Sequence, residues 1–149
     1  MSGGRAQCLV TRGNEILVVK HRQDGMEYFC LPGGGIEDSE TPIAAAAREL
    51  KEECLVTGTN LRLISSVSHY GHMNYTYFAE IGEQEPALGE DPEVKENPIL
   101  VAVEWRTLDC ICERDRAYLW AAGLFSVECF AKELDSWGDD TSYPSKRTV

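Results

Sequence analysis

The sequence has no apolar run that approaches the length of a membrane-spanning helix, and its opening residues Met1-Ser2-Gly3-Gly4-Arg5 contain no signal-peptide core. No membrane segment is expected, and the compartment the sequence points to is the cytoplasm. Positive charge is scarce: 14 Lys and Arg stand against 25 Asp and Glu, a formal charge of −11. Such a surface is a poor coat for DNA, RNA or anionic lipid, so a phosphate-bearing small molecule would need a cation as intermediary. Cysteine pairs with zinc or redox spacing are missing as well. The six cysteines, at 8, 30, 54, 110, 112 and 129, lie scattered, and Cys110 and Cys112 form C-x-C rather than C-x-x-C. They read as free thiols. Repeats and low-complexity segments are absent too. What remains, 149 residues of which 43% are hydrophobic and 26% charged, has the length and composition of one globular domain.

Residues 6–11 and 15–20 are β-rich runs separated by Arg12-Gly13-Asn14, which suits a hairpin turn. After a loop over 21–27, Tyr28-Phe29-Cys30-Leu31 is a short strand, stopped by Pro32-Gly33-Gly34-Gly35, where the chain is expected to turn sharply. Thr41-Pro42 reads as an N-cap followed by proline at the first helical position, and 43–54 is rich in helix formers. Strand patterns return at 61–64 and 74–81, with a connection over 65–73. The acidic, proline-bearing stretch 82–98 reads as a surface loop, 99–105 as a strand and 116–134 as a closing helix. This order implies an α/β/α sandwich, a mixed β-sheet between helices, as a single domain over residues 1–137 with a polar tail at 138–149.

The chemistry concentrates in the first helix. At ~100° per residue, Ile43, Ala46, Ala47, Leu50 and Cys54 form one stripe, while Glu49, Glu52 and Glu53 fan across another face. Three carboxylates so gathered repel one another, and a hard divalent cation with oxygen ligands relieves the repulsion. Magnesium is the expected partner, with manganese as substitute. Taken alone, Arg48-Glu49-Leu50-Lys51-Glu52-Glu53 equally fits a solvated helix face laced by i,i+4 pairs such as Arg48 with Glu52.

Spacing decides between the two. Segment 34–56 resembles the signature G-x5-E-x7-R-E-U-x-E-E-x-G-U of the Nudix hydrolases, where U is a bulky aliphatic residue. Gly34, Glu40, Arg48, Glu49, Leu50, Glu52, Glu53 and Val56 fall on its positions. The one departure is Leu55, where the signature has a glycine; a helix exit using Gly58 is expected instead. The resemblance implies a Nudix-type α/β/α sandwich. It implies Glu52 and Glu53 as principal metal ligands, joined by the Gly33 carbonyl, and Glu49 as a further ligand or general base. By the same resemblance Arg48 and Glu40 form a salt bridge that holds the glutamates in place. A further glutamate often comes from a later loop in such enzymes, and the acidic stretch here offers Glu90, Glu93 and Glu96, of which Glu93 and Glu96 are favoured.

Substrate choice in that family lies outside the signature. Tyr70, Tyr75 and Arg22 are the candidate substrate contacts, the tyrosines by stacking on a base. The short chain is similar to the compact nucleoside-triphosphate pyrophosphohydrolases, which implies cleavage of a phosphoanhydride bond in a nucleoside triphosphate or a related nucleotide, oxidised ones included. Dinucleoside polyphosphates and ADP-sugars are the alternative substrates. An inactive nucleotide-sensing module is the alternative of another class, disfavoured because such a module needs no cluster of mutually repelling carboxylates. Trp120, Leu124 and Phe125 in the closing helix leave room for a homodimer, although packing into the chain's own core explains them equally.

Overall fold

The computed structural model describes residues 3–90 and 99–137; the tail at 138–149 and the candidate ligands Glu93 and Glu96 lie outside the described residues. Strand β1 (Arg5–Leu9) leads through β2 (Thr11–Arg12) and a turn into β3 (Glu15–Gln23), followed by β4 (Met26–Cys30) and β5 (Gly33–Gly35). Helix α1 (Pro42–Cys54) comes next, then β6 (Thr59–His69), β7 (His72–Glu80) and β8 (Ile99–Thr107), with α2 (Glu113–Ala121) and α3 (Glu128–Ser136) at the end. The strands form two sheets. One runs β5-β1-β7-β6, mixed because β1 and β7 are parallel; in the other, β3 pairs antiparallel with β2, β4 and β8.

Strand alternation makes this a layered fold. Ile16, Leu17, Val18 and Val19 are all buried, as a strand covered on both faces requires. Leu17 and Val19 join Ala6, Cys8 and α1's Ala45, Ala46, Leu50 and Cys54 in one core. Ile16, Val18 and Leu9 join Leu108, Ile111, Leu119 of α2 and Phe130 of α3 in another. The sheets therefore lie between α1 on one side and the C-terminal helices on the other, the α/β/α arrangement expected, with the mixed sheet accompanied by an antiparallel one. No helix among the described residues is long and apolar enough to cross a membrane.

Four local expectations are corrected. The supposed loop at 21–27 is a hairpin: β3 runs on to Gln23, and Asp24 and Gly25, both at positive φ (52° and 80°), turn the chain into β4. The supposed connection at 65–73 is likewise strand on either side of a Tyr70-Gly71 turn at φ 50° and 80°. In place of a sharp turn, the triple glycine forms β5 against β1, where a Cβ on Gly33 would lie 2.5 Å from the Gln7 Cβ. The single closing helix is split at Gly123 (φ 103°), and a 3-10 turn at Leu124–Ser126 separates α2 from α3.

Candidate functional site

Helix α1 starts as its sequence dictates. Thr41 caps it, its hydroxyl accepting from the Ala44 N–H at 3.2 Å, and Pro42 opens the first turn. The face it buries departs from the expected stripe, because Ile43 is exposed while Glu49 and Glu53 are 1% and 0% exposed. The sheet edge explains the difference: β5 runs past this side of the helix, and its glycines leave space for two carboxylates. Glu53 Oε1 accepts from the Gly33 N–H at 2.9 Å. The Glu49 carboxylate lies so close to Gly34 that a Cβ there would come within 2.6–2.7 Å of it.

Arg48 organises the carboxylates around it. Its Nε and Nη2 donate to the two oxygens of Glu40 at 2.7 and 2.9 Å, a bidentate pair. Nη1 donates to Glu49 Oε1 at 2.8 Å and to Glu52 Oε1 at 3.2 Å, and Nη2 also reaches the Gly35 carbonyl at 3.0 Å. The Glu40 carboxyl is held below the usual carboxylate range, chiefly by its hydrogen bonds from Arg48, and the Arg48 guanidinium is raised, chiefly by Glu40. One cation thus ties the Gly33–Gly35 strand, the loop at Glu40 and two of the three helix glutamates together.

On the other side of Glu53 stands His21. Its Nε2 is 3.8 Å from Glu53 Oε2, its Nδ1 is 3.2 Å from the Cys30 sulfur, and its ring stacks on Tyr28 with centroids 5.6 Å apart. His21, Tyr28 and the three glycines line a cavity of about 750 Å³, together with Arg5, Phe29, Arg114 and Asp115. Asp115 pins α2 to the wall: its carboxylate accepts from the Phe29 N–H and from Arg114 Nε, each at 3.0 Å. Tyr118 donates to Gln7 Oε1 at 2.7 Å. Burial pulls the Arg5 guanidinium down, but Tyr118, Cys30, Glu53 and Glu49 together outweigh it, so Arg5 stays charged beside the carboxylates.

Of the residues expected from sequence, the fold brings together Gly33, Arg48, Glu49, Glu52 and Glu53. It does not bring Tyr70, Tyr75 or Arg22 to them. Tyr70 is 91% exposed at a hairpin tip. Tyr75 lines a separate cavity of about 460 Å³ near Glu37 and Glu40. The Arg22 guanidinium pairs with Glu27 at 2.8 Å and does not line the larger cavity. Arg5, His21, Arg114, Asp115 and Tyr118 went unread. Only His21 had a signal, since alternation along β3 sets it two places beyond Val19, on the side of α1.

Leu55 corrects the expected helix exit. It adopts the left-handed conformation itself (φ 58°, ψ 33°) and donates its N–H to the Lys51 carbonyl, so the cap geometry is kept without the glycine. Gly58 serves packing instead: a Cβ there would lie 3.1 Å from both the Leu50 and the Leu61 side chains.

Among the described residues, no three His, Cys, Asp or Glu side chains already stand as an ion-binding group. The donor set nevertheless fits a hard divalent cation. Glu49, Glu52 and Glu53 offer only oxygen ligands, and one cation, Arg48 Nη1, already draws Glu49 and Glu52 together. The glycine main chain beside them admits no side chain that would fill the space.

The chain matches the family profile described as NUDIX domain over residues 1–126. It is 36% identical over 84 residues to diphosphoinositol polyphosphate phosphohydrolase 2 of Rattus norvegicus, a match covering 53% of this chain and 46% of that protein, so it spans less than half of that relative. Its fold is similar to that of a NUDIX hydrolase from Nitrosomonas europaea, with a TM-score of 0.66 and 20% identity over 92% of this chain and 73% of the other. It is also similar to a MutT NUDIX hydrolase from Burkholderia pseudomallei, with a TM-score of 0.63 and 22% identity over 80% and 96% of the two chains.

Proposed function

The chain belongs to the NUDIX domain family, and from that premise we propose that it is a magnesium-dependent hydrolase cutting a phosphoanhydride bond in a nucleoside triphosphate or a related nucleotide, oxidised nucleotides included. The observation that carries this reading is the pair of buried carboxylates, Glu49 and Glu53, set against Gly33 and Gly34 at the wall of the larger cavity. Glu49, Glu52 and Glu53, with the Gly33 main chain, would hold Mg2+ or Mn2+. When bound, the ion supplies neutralisation of the anhydride oxygens and a water of lowered pKa.

The chain's own residues do the rest. Arg48 keeps Glu49 and Glu52 in register through Nη1. Arg5 sets a positive charge in the cavity where phosphate arrives, and Tyr28, whose ring stacks on His21, is an aromatic side chain at the wall for a base to lie against. A water oxygen bonds to phosphorus, the bond from that phosphorus to the bridging oxygen breaks, and Glu49 accepts the water's proton if it is not itself a ligand.

A second reading follows from the name of the rat relative: a diphosphoinositol substrate. The cavity favours the nucleotide, because its cations among the described residues are Arg5 and Arg114, and Arg114 is already paired with Asp115. A densely phosphorylated ring calls for a richer set of cations. The reading also takes 1–137 as one hydrolase domain acting in the cytoplasm, supported by the extent of the family match and by six free thiols among the described residues.

The test is release of phosphate and pyrophosphate from a panel of nucleoside triphosphates, oxidised nucleotides, dinucleoside polyphosphates, ADP-ribose and a diphosphoinositol, with magnesium and then with EDTA. Metal-dependent turnover of a nucleoside triphosphate is expected, together with loss of about 100-fold or more in Glu53→Gln while the domain stays folded. Turnover of the diphosphoinositol alone would transfer the assignment to the second reading. Silence across the panel from a protein that binds nucleotide would make it a sensing module.

A further inference from the structure

An α-helix leaves its last four carbonyls without partners of its own. In α1 these belong to Lys51, Glu52, Glu53 and Cys54, and all four are accounted for. Leu55 takes Lys51. The other three accept from one distant segment of the loop after β7: Ala87 N–H donates to Cys54, Gly89 N–H to Glu53 and Glu90 N–H to Glu52, each at 2.9 Å. The contact is close enough to dictate a residue type. A Cβ on Gly89 would overlap the Glu52 carbonyl oxygen and lie 3.2 Å from the Glu53 carbonyl carbon. Gly89 does not have the left-handed φ of Gly82 or Gly123, so the glycine serves close approach and not a special backbone conformation.

The helix end this segment holds needs holding. Leu55 occupies the left-handed cap where the signature has glycine, a strained conformation for a branched side chain. The two carbonyls received by Gly89 and Glu90 belong to Glu53 and Glu52, the residues whose carboxylates the metal reading uses. We propose that residues 87–90 form a strap that positions the Glu52 and Glu53 carboxylates by fixing their backbone, with Gly89 as the positioning residue that lets the strap seat. This inference rests on the metal reading given above. The three backbone donors of the strap reach helix carbonyls and not carboxylates, so the strap acts on the site through the backbone of Glu52 and Glu53.

The test reads metal affinity without substrate: Mn2+ binding to the full chain, followed by the paramagnetic resonance of free Mn2+, beside thermal melting. Gly89→Ala should weaken Mn2+ binding by about tenfold or more, the scale on which loss of an outer partner acts on a metal site. Gly123→Ala is the control. It loads a left-handed position at the α2–α3 break, where a Cβ meets the Ser65 Cβ at 2.7 Å, and should lower the melting temperature with Mn2+ affinity unchanged. Ala87→Gly keeps the donated N–H but loosens the backbone of the strap without crowding the helix; it serves if Gly89→Ala does not fold, with an expected loss of about threefold. Leu55→Gly in the Gly89→Ala background should regain melting temperature but not affinity. Wild-type Mn2+ affinity in the strap variants, with lowered melting temperature, overturns the strap and leaves the metal reading standing. A wild type that binds no Mn2+ overturns both.

Discussion

Replacing Arg48 with alanine withdraws one cation from four carboxylate contacts and a carbonyl. Its side chain is 22% exposed and that of Glu40 15%, so solvent screens the bidentate pair only in part, while Glu49 is buried. A hydrogen bond to a charged group contributes about 1.5–3 kcal/mol, and removing one partner of a buried pair costs about 3–5 kcal/mol. The bonds share one side chain and do not add. Allowing for partial exposure, Arg48→Ala should cost about 3 kcal/mol, which for a chain of this size is about 6–12 °C in melting temperature. Arg48→Lys should recover less than half of that, because an ammonium keeps the charge but cannot fork onto Glu40 while reaching Glu49 and Gly35. Calorimetry in EDTA reads the stability term, and Mn2+ titration should show weaker binding in Arg48→Ala, since Glu49 and Glu52 lose the group that holds them. Melting within about 2 °C of wild type would refute the clamp, that margin being under 1 kcal/mol.

The glycines of β5 should separate sharply. Gly34→Ala puts a Cβ on the Glu49 carboxylate, whereas a Cβ on Gly35 meets nothing within 4 Å. Because the clash is with the buried carboxylate that Arg48 holds, Gly34→Ala should lower the melting temperature and lose about 100-fold in turnover, with Gly35→Ala near neutral in both; equal activities in steady-state assays would sink the reading. Glu40 supplies a pH dependence. Its folded pKa lies below its unfolded value of about 4.3, so its contribution is present above that pH and is lost as pH falls through the folded value. Wild type should therefore lose melting temperature more steeply than Glu40→Gln below about pH 4, and parallel profiles would count against the bridge. Alkylation should sort the thiols. Burial pushes Cys8 and Cys30 up to about 12 and also raises Cys54, while Cys110 and Cys129 are exposed. Peptide mapping after brief alkylation of the folded protein should find Cys110 and Cys129 modified and the buried three intact.

Much of the fold was legible locally. The Thr41-Pro42 start, the helix to Cys54 and the alternating β-rich runs follow from propensity and period, which act within a few residues. Hairpins were missed where a polar residue stands at positive φ, as Asp24 and Tyr70 do, because turn geometry and not composition decides whether strands continue to the tip. The pattern over 116–134 predicts one unbroken helix because a single glycine is tolerated inside many helices, and only packing selects the left-handed conformation at Gly123.

The candidate site divides along the same line. Spacing along the chain determined by itself that Glu40, Arg48, Glu49, Glu52 and Glu53 belong together, since a helix and its lead-in fix their relative places. Tertiary structure decided what surrounds them. That Glu49 and Glu53 are buried against glycines, that His21 and Arg5 stand beside them, that Asp115 closes the wall and that residues 87–90 cap the helix all depend on how distant strands and loops come to lie beside one another. Contacts of that kind join residues whose separation in sequence carries no period, so no local pattern announces them. Tyr70, Tyr75 and Arg22 show the same limit from the other side: residue type singles them out in the sequence, but the sheet sets them away from the larger cavity.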